Sequence, residues 1–254
     1  MLLCEDNLGL YAQLAHRVVT DEGLKPVSDH ALARLAEFGV RLAGRRSRLS
    51  TRYSDIIDVL REASHYAARD EVKRIAAVHV RRALDRRRYR HSLLEEKIQN
   101  LFAEGSVQVK TSGEEVGAVN ALTVLDAADH CFGQPSRVTA TCAAGKEGVA
   151  SLEREVELSG RIHDKATLMM TGYLRSHYTP DVPLSLTATV AFEQLHDELD
   201  GDSASVAEAV ALLSALAGVP VNQGIAVTGA MDQKGNVLAV GGLGNAGYDL
   251  VAAR

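Results

Sequence analysis

The sequence has no tryptophan, and its aromatic residues amount to 4%. A buried core must therefore be assembled from Leu, Val, Ile and Ala. The same scarcity argues against the aromatic platforms on which unstacked nucleic-acid bases lie. Cysteine is also sparse. Cys4, Cys131 and Cys142 are odd in number and contain no CxxC spacing, which excludes a disulfide framework and a zinc knuckle and fits a reducing cytoplasm. No uncharged run suits a membrane span: the longest, Ala209 to Met231, is broken by Gly218, Pro220, Asn222, Gln223 and Gly224. The start, Met1-Leu2-Leu3-Cys4-Glu5-Asp6, lacks the basic and apolar regions of a secretory signal. A G-x-x-x-x-G-K-[S/T] phosphate loop is missing as well, and with it the groups that cradle ATP and Mg²⁺. Internal repeats and low-complexity tracts are not seen.

What is present divides in two. The 254 residues are 46% hydrophobic, enough for two modest cores. Residues 1 to 100 carry 19 Lys/Arg against 14 Asp/Glu, and the remainder 9 against 19, so the charge balance inverts along the chain. From Leu8 to about Leu101 apolar residues recur three and four apart, as in Ala31 to Phe38 and Ile56 to Leu60, which predicts a bundle of at least four helices. Ser28 and Gly44-Arg45-Arg46-Ser47 supply a cap and a break. The arginines between Arg81 and Arg90 could clasp phosphate, although a solvated helix face is the more ordinary use of such a run.

After Glu104-Gly105 the period shortens. Strands are expected at Val107–Lys110, Val119–Val124, Arg137–Thr141 and Leu184–Phe192, with helices over Lys165–Arg175 and after Ser203. Ile225–Thr228 and Val237–Val240 flank Asp232-Gln233-Lys234-Gly235-Asn236, a turn composition that predicts a hairpin. The fold class is α+β: a helical bundle over residues 1–103, then a mixed α/β domain over 104–254.

Asp200-Gly201-Asp202-Ser203-Ala204-Ser205 sits at the mouth of an apolar helix. Gly201 and Asp202 put Ser203 on a tight turn, where free N–H groups and the helix dipole would favour an oxyanion. Ser205 and Glu208 have the spacing of a capping box, which would give Ser205 a purely structural task. A nucleophilic serine needs a base. His196 is close in sequence, and His163-Asp164 reads as a surface or capping pair with no assigned chemistry. The pattern G-x-S-x-G is not met, because Ser205 stands at its final position, so an α/β-hydrolase is not expected.

Taken in order, several motifs resemble the Lon proteases, in particular the bacterial B-type branch. They are Phe132-Gly133-Gln134-Pro135-Ser136-Arg137, Leu152 to Leu158, Ile162-His163-Asp164-Lys165, Pro183-Leu184-Ser185-Leu186, Phe192-Glu193-Gln194 and Gly201 to Ser205. The likeness continues through Leu212 to Ala217, Ala226 to Gly229 and Val240-Gly241-Gly242, then ends at about residue 243. The first hundred residues resemble the family's AAA+ helical lid at Leu49-Ser50-Thr51-Arg52 and Leu60-Arg61-Glu62-Ala63.

The resemblance implies a serine endopeptidase that degrades unfolded or damaged proteins, assembles as a homo-hexamer and is driven by ATP and Mg²⁺. Without a phosphate loop, this chain alone should bind neither. By resemblance Ser203 is the nucleophile, Thr228 supports the dyad and Arg52 is the sensor-2 arginine that reaches toward phosphate. The dyad lysine should follow Gly241-Gly242 by four residues, and that position holds Ala246. Such a lysine must lose its proton near neutral pH, through burial and a nearby helix N-terminus, to act as general base. Lys165 and Lys234 are the other amines considered, Lys234 in a turn that faces solvent. The ends of the chain are expected to be truncated or rewritten relative to the family. Two further readings follow: a pseudoprotease that binds protein without hydrolysing it, and a nucleic-acid contact through Arg81 to Arg90.

Overall fold

A computed structural model describes residues 1–127, 130–178, 185–195 and 198–241. The expectations placed on His196, Pro183-Leu184 and Ala246 lie outside these residues. The chain divides into two compact units, Met1–Leu94 and the part from Glu95 onward.

The first unit is helical, as its periodicity requires. Its helices are α1 (Glu5–Asp21), α2 (Asp29–Leu42), α3 (Tyr53–Arg69) and α4 (Ala77–His91), and α5 (Leu93–Ala103) straddles the boundary. Ser28 caps α2, its hydroxyl accepting from the Ala31 N–H at 3.3 Å. Such a cap supplies a partner for one of the four donors left over at a helix start. Buried stripes with helical spacing meet in the centre: Ala31 and Leu35 from α2, Ile56, Val59, Leu60, Ala63 and Ala67 from α3, and Val80 and Ala83 from α4. Helix α4 turns its arginines outward onto acids. Arg82 reaches Asp70, Arg87 reaches Asp55 and Arg90 reaches Glu62.

The second unit is built on a five-stranded mixed sheet. In chain order the elements are β1 (Glu114–Glu115), β2 (Ala118–Ala127), β3 (His130–Ala144), β4 (Gly148–Ser151), α6 (Leu152–Glu155), α7 (Arg161–Tyr178), β5 (Leu186–Phe192), α8 (Ser205–Ala217), β6 (Val221–Asn222), β7 (Ala226–Val227), β8 (Ala230–Met231) and β9 (Val237–Leu238). The sheet order is β4-β5-β3-β2-β7, antiparallel inside and parallel at both edges. Strand β5 alternates fully buried with half-buried residues, the period-2 signature of a sheet covered on one face. The cover is α8, which crosses β3 and β2 and packs in turn against α7. Val138, Ala188, Val190, Met170, Ala207, Ala211 and Leu212 meet in the resulting core.

Two sequence expectations are corrected. Val107–Lys110 forms no strand. The hairpin at Asp232–Asn236 joins β8 to β9, whereas the Ala226–Val227 segment runs parallel to β2. The reason is local: the Asp232 carboxylate accepts from the Lys234 and Asn236 N–H groups, closing the turn so tightly that only the adjacent Ala230–Met231 can pair across it. Among the described residues no helix is long and apolar enough to cross a membrane.

Leu212 is fully buried between helix and sheet. Leu212→Ala is expected to destabilise the second unit by about 2–5 kcal/mol. Urea unfolding followed through near-ultraviolet tyrosine signal and circular dichroism measures the loss.

Candidate active site

Ser203 is half-buried in the turn that leads into α8. Gly201, at φ +98°, makes that turn possible, because a side chain there would be strained. The Ser203 carbonyl accepts the Gly229 N–H at 2.7 Å and the Thr228 hydroxyl at 3.1 Å. The structure therefore brings Ser203 together with Thr228, which lies in the link between β7 and β8. The stitching continues: the Val206 N–H donates to Gly229 O at 3.1 Å, and the Met231 N–H donates to Ser205 Oγ at 2.9 Å.

Three expectations change at this point. Ser205 is no capping-box residue. The N-cap is Ala204, and Ser205 Oγ donates to Asp202 O while accepting from Met231. Its supposed partner Glu208 is completely buried, facing another helix. The N–H groups of Ser205 and Val206 are also occupied, by Asp202 O and Gly229 O, so they are not free to receive an oxyanion.

The loop carrying Ser203 is tied to the start of α7. Asp200 Oδ1 accepts the N–H groups of Ile162 at 3.1 Å and His163 at 3.3 Å, acting as a cap from outside the helix. Hydrogen bonds from the Gly201, His163 and Ile162 N–H groups hold its carboxyl below the usual range. The approach demands a glycine at 160, since a Cβ there would lie 2.3 Å from the Asp200 carboxyl carbon. Leu199 completes the seam, donating to Leu158 O and accepting from the Gly160 N–H.

Beneath this loop lies a buried polar cluster that the sequence reading missed. His163 Nε2 is 3.3 Å from Glu208 Oε1, and both side chains are sealed from solvent. The imidazole also meets the Phe192 ring edge-on at 5.9 Å. Glu153 from α6 approaches from the sheet side, accepting the Phe192 N–H at 2.7 Å and the Ser151 hydroxyl at 3.0 Å. Burial pushes the Glu208 carboxyl up to about 8, with the Glu153 charge adding to the shift, and it lowers the His163 pKa. A single proton shared by the pair supplies the donor that His163 Nε2 and Glu208 Oε1 otherwise lack. The signal existed in the sequence. Glu208 is the one charged residue in Ser205–Ala217, and His163 heads the stripe Ala166, Met170, Leu174. Reading His163 as a surface or capping residue failed because the tertiary seam encloses it.

Lys165 and Lys234 are both exposed, and among the described residues no lysine is buried. Arg52 lies in the other unit at the start of α3, mostly exposed and 2.8 Å from Asp55. Among the described residues no group of His, Cys, Asp and Glu is arranged to hold a metal ion.

The helical unit and the serine-bearing α+β unit each match a known family model. Residues 26–90 match the family model of the archaeal LonB AAA+ ATPase lid domain, and residues 198–254 match the Lon protease (S16) C-terminal proteolytic domain, a match that runs on past residue 243. The chain belongs to the Lon protease family. It is 37% identical over 187 residues to a putative Lon protease homolog of Escherichia coli K12, covering 73% of this chain and 32% of that protein. A putative Lon protease homolog of Haemophilus influenzae is 34% identical over 215 residues, 84% of this chain and 35% of the relative. The archaeal Lon protease of Archaeoglobus fulgidus is 27% identical over 246 residues, 94% and 38% respectively. The chain thus spans about a third of the length of the curated relatives it matches.

The buried cluster sets a pH dependence. Facing Glu208 are His163 and Thr167 from α7 and Glu153 from α6, and facing His163 are also Asp164 and Asp200. Glu208 keeps its proton in the folded chain up to about 8, whereas the unfolded carboxyl loses it near 4.5. Its contribution is complete below 4.5 and disappears as the pH rises through 8. His163, lowered from 6.5, contributes the opposite slope below that value. Between 6.5 and 8 the carboxyl acts alone. Stability of the second unit should fall there at up to about 1.4 kcal/mol per pH unit. The slope should vanish in Glu208→Gln, as read by urea unfolding at a series of pH values.

Proposed function

We propose that this chain contributes the proteolytic domain of a Lon-type serine endopeptidase, with Ser203 as nucleophile and unfolded or damaged protein as substrate. The single observation that carries the reading is the Ser203 turn, fixed through its carbonyl by the Thr228 hydroxyl and the Gly229 N–H at the mouth of α8. Ser203 Oγ attacks the peptide carbonyl, and its proton passes to a base. The carbonyl oxygen gains the negative charge, which the positive end of α8 favours. Because the Ser205 and Val206 amides are engaged, the donors for that oxygen fall to the turn that precedes them.

ATP coupling belongs to the same proposal. The described residues form no phosphate cradle. Arg52, already paired with Asp55, is the cation that the lid would offer toward phosphate, so no chemical step here runs through nucleotide. In this reading nucleotide is bound by a core outside this chain, and the working assembly is a cytoplasmic homo-hexameric ring.

A second reading, a module that binds protein without cleaving it, is favoured by Ala246 at the lysine position together with the absence of a buried lysine among the described residues. The two are separated by casein. Cleavage by the purified chain, with or without ATP, that disappears in Ser203→Ala supports the endopeptidase. Retention of unfolded casein with no cleavage supports the binding module. Ala246→Lys should raise cleavage about 10²-fold or more, the ordinary yield of a well-placed general base. No gain over the parent chain would count against the dyad assignment.

A further inference from the structure

We propose that His163 is a positioning residue for Ser203: its backbone N–H is held by Asp200 on one side of the serine turn and its buried imidazole faces the Glu208 carboxyl of α8 on the other, and so sets the conformation of the turn. The inference rests on reading Ser203 as the nucleophile. Its geometry is independent of which base serves that nucleophile.

The contacts straddle the serine. Gly201 lies two residues before it and has the left-handed φ of +98° that the turn needs. Asp200, which accepts the His163 N–H, anchors the chain immediately before this glycine, the most permissive point of the loop. On the other side Glu208 is bound to the turn through its own backbone. Its N–H donates to Ala204 O at 3.0 Å, the residue next to Ser203. Glu208 therefore belongs to the first turn of α8, directly after the serine turn. His163 itself has little freedom: its N–H is capped by Asp200, its ring meets Phe192 edge-on, and its exposure is 1%.

The ring does not act as the base. Nε2 is directed at Glu208, and burial disfavours the imidazolium that proton abstraction would create. Nor is the contact simple packing, because two polar groups sealed in an apolar core are costly unless they face each other as partners, which constrains where α7 and α8 can sit. Here they hold the turn. Glu208 is neutral at pH 7, so the bridge requires a hydrogen-bonding head and not a charge.

The test compares His163→Leu, Glu208→Leu and Glu208→Gln in the full chain by amide hydrogen exchange and by labelling with a fluorophosphonate probe. His163→Leu and Glu208→Leu should each speed exchange in peptides spanning Asp200–Val206 about tenfold or more, with peptides from β5 staying within about twofold of the parent. Glu208→Gln, which keeps a neutral hydrogen-bonding head, should restore most of what Glu208→Leu loses. The maximal labelling rate should fall in the two leucine variants, with the half-saturating probe concentration unchanged. Exchange at Asp200–Val206 that matches the parent, or that rises equally in β5, would overturn the positioning role. So would failure of Glu208→Gln to restore. If the parent chain labels no faster than Ser203→Ala, the nucleophile reading falls, and the exchange data still decide the positioning role.

Discussion

A histidine and a carboxyl buried against each other in an apolar core are tolerated when one proton serves both, since neither then carries an unmatched charge. His163 and Glu208 meet that condition, and much of the second unit is arranged around them. Helix α7 supplies the imidazole, α8 the carboxyl, and β5 the Phe192 ring that closes the side. The same ring of contacts determines where the chain may cross from Leu199 into α8. Asp200 caps α7, Gly201 turns, and Ser203 is left half-buried with its carbonyl taken by Thr228 and Gly229. The serine turn is thus fixed by three separate segments of sequence rather than by its own residues.

This dependence explains why the sheet matters to the site. Strand β7 runs parallel to β2 for two residues, pairing Asn120 with Ala226 and Ala121 with Val227. That short contact delivers Thr228 and Gly229 to the serine turn. From there the chain proceeds along the start of α8, with Gly229 and Met231 bonded to Val206 and Ser205. Parallel pairing at a sheet edge is weakly held by itself. Here it is reinforced from the helix side, so the sheet and α8 define one another.

Most of the architecture was legible in the sequence, because periodicity reports which face of an element is covered. The helices of the first unit, the α7 and α8 stripes and the alternation of β5 all follow from that. The Ser28 cap was also readable; the resemblance to the Lon proteases set Thr228 beside the dyad lysine, and its bond to the Ser203 carbonyl came only with the fold. What escaped was set by tertiary contact. Ser205 and Glu208 have capping-box spacing, yet each found a stronger partner across the fold: Met231 for the hydroxyl, His163 for the carboxyl. Local spacing cannot reveal a competitor from a distant segment. Likewise the run Ile225–Thr228 was read as a flank of the hairpin, whereas its Ala226–Val227 pairs with β2 and the flank is Ala230–Met231.

The arginines of α4 look, in sequence, like a surface waiting for polyanions. In the fold three of them are bound to the chain's own acids, Arg87 to the buried Asp55 and Arg82 and Arg90 to Asp70 and Glu62. Such pairs exchange an outward electrostatic field for internal cross-links between neighbouring helices. The outer ones are weakened by ordinary ionic strength, whereas the Asp55 pair is shielded from it. The helical unit is therefore stapled unevenly: the Asp55 joint responds little to salt, and the rim loosens as the medium becomes more ionic.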